Sequence, residues 1–201
     1  MEPAVLFPTR RAWLVAALAA PLQSAAREAR LVPRWNGDVL LVSAADLHFL
    51  EGKPLERLKN GAPVSFDFQL SLLAGADRST LRRAFERFTF SYDLWEEKFS
   101  VVRRGVMRQA SRLGAEAAQA WCLENLAAPV AGLAPDRSFI VRLEVRLADS
   151  RDRRPVLGEP GLSLTGLVEI FSRPSRGREP NWTLETGPLR LEEVGRQTGG
   201  K

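Results

Sequence analysis

The chain has 201 residues, 45% of them apolar and 26% charged, with a formal net charge of +5, the profile of one globular domain rather than a disordered or fibrous chain. A single His and a single Cys, His48 and Cys122, exclude a zinc site of three or four nitrogen and sulfur ligands and a disulfide within the chain. A serine or cysteine hydrolase would have to use His48 as its base, no Lys has a Ser three positions before it, and neither a Walker nor a dinucleotide glycine loop is present.

The chain opens on an address. Arg10 and Arg11 precede an apolar run from Ala12 to Leu22, Pro21 interrupts it, and Ser24-Ala25-Ala26 places small residues where a signal peptidase cuts. Residues 1–26 are therefore expected to be a signal peptide, the mature chain beginning at Arg27. The run is too short to span a bilayer core of about 30 Å. The paired arginines also fit a twin-arginine signal, but no cofactor motif demands folding before export, so the general secretory route is favoured. The expected location is periplasmic, or otherwise exported. Losing Arg10, Arg11 and Glu2 lowers the charge from +5 to +4.

Val39 to Leu50 starts apolar on both faces and then alternates, with Leu47 and Phe49 inward and Asp46 and His48 outward. A short helix is expected from Pro54 to Gly61, with Pro near its start and Gly past its end. Val64, Phe66, Phe68, Leu70 and Leu72 then alternate with Ser65, Asp67, Gln69 and Ser71, a strand with one apolar and one wet face. Phe88, Phe90, Tyr92 and Leu94 repeat the pattern, as do Phe139, Val141, Leu143, Val145 and Leu147. Between them a second helix is expected from Leu113 to Ala127, where Ala118, Trp121, Cys122 and Leu126 share a face and Pro129 follows. A third helix is expected from Ser163 to Phe171, a last strand from Trp182 to Leu191, and a flexible tail over residues 192–201. One wet face per strand implies antiparallel pairing. The expectation is a β-rich α+β fold: one domain over residues 31–191, an antiparallel sheet or sandwich with two to three short helices.

Of the 29 basic residues 25 are Arg, densest at Arg151, Arg153 and Arg154 and at Arg173, Arg176 and Arg178. Asp149, Asp152, Glu159 and Glu179 lie among them, so the simpler reading is a solvated surface, with weak contact to anionic membrane the alternative. An exported chain meets little nucleic acid, so that partner class is discounted despite the basic charge.

Chemistry is concentrated at one hairpin, where Asp93, Glu96 and Glu97 fall within five residues. Three carboxylates can hold Ca²⁺ or supply an acid and a base, but where a chain reverses they are more simply solvated turn residues. Trp95 among them either folds back as a lid on the sheet or is offered to a partner. With Asp93, Glu96, Glu97 and Lys98 as its rim, it is the candidate partner-binding residue. His48 beside Asp46 reads as a surface His, Cys122 beside Trp121 as a small buried hydrophobe, and Asn181-Trp182-Thr183 as the opening of a strand as much as a glycosylation sequon. No metal, cofactor or catalytic residue is expected.

The stretch Leu58-Lys59-Asn60-Gly61-Ala62-Pro63-Val64-Ser65-Phe66-Asp67-Phe68, a helix ending at Gly and feeding an alternating strand, resembles the central signature of the domain-of-unknown-function 4390 family, uncharacterised exported bacterial proteins. The hairpin from Phe90 to Val101 resembles that family's tyrosine-bearing strand, turn and aromatic strand, and the helix near Trp121, the strand from Phe139 and Trp182-Thr183-Leu184 follow in the family's order. The insertion between Asp149 and Pro180 is longer than the commoner pattern. The resemblance implies a small exported protein without known catalytic residues, encoded beside membrane sensor kinases. The expected function is that of a non-catalytic envelope protein acting as a protein-interaction or accessory module, with such a kinase as the partner that the resemblance implies. The alternative is a carrier of an apolar ligand in a β-lined cavity.

Overall fold

Alternating sequences build the larger part of the structure. A computed structural model describes residues 29–106, 108–148 and 180–195. The expected signal peptide over residues 1–26, the helix expected from Ser163 to Phe171 and the two arginine-dense stretches lie outside the described residues. Strands β1 (Val32–Asn36) and β2 (Val39–Ser43) form a hairpin across Gly37 and Asp38. Gly37 has φ +59°, the left-handed backbone a two-residue hairpin requires. Helix α1 (Gly52–Lys59) leads to β3 (Val64–Ala74), β4 (Thr80–Asp93), β5 (Lys98–Arg103) and β6 (Arg108–Leu113). Helix α2 (Ala115–Glu124), β7 (Ala127–Pro129), β8 (Phe139–Leu147) and β9 (Asn181–Leu189) follow, and a 3-10 turn spans Leu191–Glu193.

All observed pairings are antiparallel. One sheet has the order β1-β2-β7, the other β6-β5-β4-β3-β8-β9. The fold is α+β and β-rich, as the alternation requires. Phe66, Phe68, Phe88 and Phe90 on one face of the large sheet are fully buried, and Phe49 is driven in among them. Its ring lies 4.9 Å from Phe66, 5.3 Å from Phe68 and 5.8 Å from Phe90, each edge to face. Leu40, Val42 and Ala128 of the small sheet and Ala118, Cys122 and Leu123 of α2 close the same core. Burial of a large apolar side chain is worth about 1.5–3 kcal/mol, so this face dominates the stability.

The structure departs from the sequence reading in several places. The other face of β3 is not wet: Asp67, Gln69 and Ser71 are all buried. β3 is an interior strand, and by register Phe85 and Arg87 of β4 and Arg142, Glu144 and Arg146 of β8 stand on either side of it. Polar groups are tolerated there because they are bonded. The Arg87 guanidinium forks onto the Asp67 carboxylate at 2.5 and 2.7 Å, and Gln69 Nε2 donates to Glu144 Oε2 at 2.9 Å.

The segment after Ser43 leaves the sheet, so Leu47 and Phe49 reach the core from irregular chain, not from a strand. What holds it is Gln119 of α2, whose Oε1 accepts the backbone N–H of Phe49 at 2.6 Å and of Leu50 at 3.2 Å. The strand carrying Phe88 starts at Thr80, because β3 pairs with it back to that residue. Leu113 ends β6 opposite Phe99, so α2 begins only after Gly114. Finally, packing does not stop at Leu191: Val194 is buried and the Gly195 carbonyl accepts the Trp35 N–H at 3.1 Å, so the tail is anchored over its first residues.

Candidate interaction site

The residues singled out at the hairpin are brought together at the turn between β4 and β5. Beneath it Tyr92 and Phe99 are cross-strand neighbours with ring centroids 4.9 Å apart, and Phe99 is buried. Asp93 and Lys98 form the last pair, and Leu94 to Glu97 make the turn. Asp93 Oδ1 accepts the N–H of Trp95 at 2.8 Å and of Glu96 at 3.1 Å, the local bonding for which Asp is favoured in turns. Those bonds, from Glu96 first and Trp95 second, hold the Asp93 carboxyl below the ordinary carboxylate range. Glu97 takes φ +53° and turns the chain into β5. Glu96 Oε1 accepts from Arg112 Nη2 of β6 at 2.8 Å, tying the turn to the next strand.

This bonding fixes the backbone and leaves the indole outside. Trp95 is 97% exposed and Leu94 is 57% exposed, so the lid reading of Trp95 is overturned. Asp93 and Glu96 face different donors and do not converge on a common point. The tip can therefore present a large aromatic and a neighbouring Leu inside a charged rim, the composition of an interface anchor.

The other residues considered lie apart from it. His48 is exposed. Cys122 is buried on the core face of α2, where burial pushes its thiol well up. It is not placed to join two copies. Asn181 and Thr183 are exposed on β9, and Trp182 is half-buried with its ring 6.2 Å from Phe49. Among the described residues no group of three or more His, Cys, Asp or Glu is placed to hold a metal, and no helix is long and apolar enough to cross a membrane.

Sequence reasoning missed one concave feature, a groove of about 750 Å³ between α2 and the β1–β2 hairpin. Val42, Ala44, Leu47 and Leu123 give it an apolar floor, with Arg30 and Arg34 on one wall and Glu116 and Glu124 on the other. Nothing in the periodicity signals it, because it forms between elements distant in sequence. Comparison of the chain with protein-family models, curated proteins and solved structures finds no match.

Proposed function

We propose that the chain is an exported, non-catalytic envelope protein that works as a protein-interaction module, with Trp95 as its anchor and Asp93, Glu96, Glu97 and Lys98 as the rim. The observation that carries this reading is the 97% exposure of Trp95 on a turn whose backbone is already bonded in place. An exposed indole gains nothing for the fold, while a rigid aromatic tip loses little entropy when a partner closes over it. Export rests on the order of basic, apolar and small residues over 1–26. A membrane sensor kinase as the partner rests on the family resemblance.

The test is in-cell crosslinking in the native host. Trp95→Ala should keep the melting temperature within a few degrees and lose the envelope proteins crosslinked by the wild type. Unchanged crosslinks would remove the anchor. A second reading, transport of an apolar ligand, is favoured by the groove under α2 rather than by the phenylalanine face, whose rings pack on one another. A lipid that co-purifies with the chain and is lost in Leu123→Arg would promote it.

A further inference from the structure

The two outer strands of the large sheet are built differently. β6 shields its free edge: Arg108 and Arg112 are exposed charges on it, Arg112 takes φ +60°, and the pairing with β5 shifts between Phe99 and Val101. Charges, kinks and bulges are what natural sheets place on an edge that must not pair. β9 carries such devices only at its far end, where the register shifts near Gly187 and Pro188 has no N–H to give. From Asn181 to Thr186 it is regular, holds no Lys, Arg or Pro, and pairs on its inner side only, with β8. Its one charged residue there, Glu185, is drawn over the sheet surface by Arg78 at 2.7 Å and Arg142 at 2.5 Å.

The direction of the free backbone groups follows from the pairing. The Pro180 carbonyl accepts the Leu147 N–H, so even-numbered residues of β9 turn their backbone groups to β8. Asn181, Thr183 and Glu185 turn theirs outward. Among the described residues no strand receives them.

We propose that this edge pairs with the same edge of a second copy of this chain, β9 against β9 about a two-fold axis at Thr183, making one continuous antiparallel sheet. Centring on Thr183 is the register in which all three outward residues are used, giving about six backbone hydrogen bonds. It sets Thr183 against Thr183 and Asn181 against Glu185 of the other copy on the polar face, an amide donor opposite a carboxylate. On the core face it sets Trp182 against Leu184, two side chains that are only half-buried in the single chain. The Thr–Thr pair is a favourable cross-strand contact, Trp182 and Leu184 cover each other's apolar surface, and the axis keeps both apolar faces on the same side of the sheet. A contact of this kind closes on itself and cannot propagate into a filament.

The experiment is sedimentation equilibrium of the purified chain across the micromolar range, with Thr183→Lys and Arg108→Glu as variants. Residue 183 is exposed, so Lys there leaves the fold of the single chain intact while placing two like charges directly opposite each other across the axis. The wild type and Arg108→Glu should sediment at twice the single-chain mass, and Thr183→Lys should associate roughly a hundredfold more weakly. A spin label on Thr183→Cys, with Cys122→Ala to remove the native thiol, should report a partner label within about 20 Å, given strands paired about 5 Å apart. A monomeric wild type overturns the proposal, and so does a dimer that Thr183→Lys leaves intact. Pairing of this edge with a different protein, without self-association, overturns it as well.

Discussion

Phe68 sits in β3 and Trp95 at the tip of the adjoining β4–β5 hairpin, and their environments are opposite: Phe68 is fully buried and Trp95 is 97% exposed. Phe68 is fixed by its neighbours, with Phe49 and Phe88 edge-on at 5.3 and 5.1 Å. Trp95 is fixed only through its backbone, by one carboxylate. In the sheet, packing determines conformation and the polar groups fit around it; at the tip, polar bonding determines conformation and the aromatic is left over. The first arrangement makes a fold, and the second displays a side chain.

Truncating the body should therefore be severe. Phe68→Ala should lose about 3–5 kcal/mol, read by denaturant unfolding, and a loss under 1 kcal/mol would mean that the rings are not close-packed. Asp67→Ala should be nearly as damaging, roughly 3–5 kcal/mol, because it strips a buried Arg87 of the carboxylate it forks onto. Replacing both partners by Leu and Met should recover most of that loss, the sign that desolvation rather than attraction dominates the pair. Gln119→Leu should cost roughly 2–4 kcal/mol, since two buried backbone donors lose their acceptor.

At the tip the effects should be small and confined to it. The Asp93 carboxyl lies below its ordinary value of 3.8, so its contribution is complete above that pH and is lost as the pH falls through the lower folded value. The amide signals of Trp95 and Glu96 should hold their positions down to about pH 4 and move only below it, with the sheet signals unchanged. Asp93→Asn should abolish that acid transition. Smallest of all, Trp95→Ala should change unfolding free energy by about 0.5 kcal/mol or less. A larger loss would erase the contrast with Phe68.

Where one face of a strand is apolar and the other polar, its place is legible in the sequence: the alternation from Phe139 to Leu147 coincides with β8, and Val64 opens β3 as the alternation requires. What failed was anything decided by neighbours in space. Asp67 reads as a wet residue because alternation says which side it is on, not what stands beside it. Thr80 to Arg87 lacks clean alternation and becomes strand only by pairing with β3. β1 and β7 are too short to carry a period. At the candidate site the residues were legible, because Asp, Glu and Trp in a turn have few roles. The exposure of Trp95 was not, since composition cannot tell a folded-back indole from a displayed one.

Gln119 has a consequence for motion. The stretch from Ala44 to Leu50 has the look of a surface connection, and such segments open easily and exchange their amide hydrogens fast. Here the Phe49 and Leu50 amides donate hydrogen bonds to a side chain of α2, while the Phe49 ring sits among Phe66, Phe68, Phe90 and Trp182. Releasing the segment would expose that ring and empty the centre of the sheet in one event. The Phe49 and Leu50 amides should then exchange as slowly as those of β3, so that a segment without regular structure opens only with the whole domain.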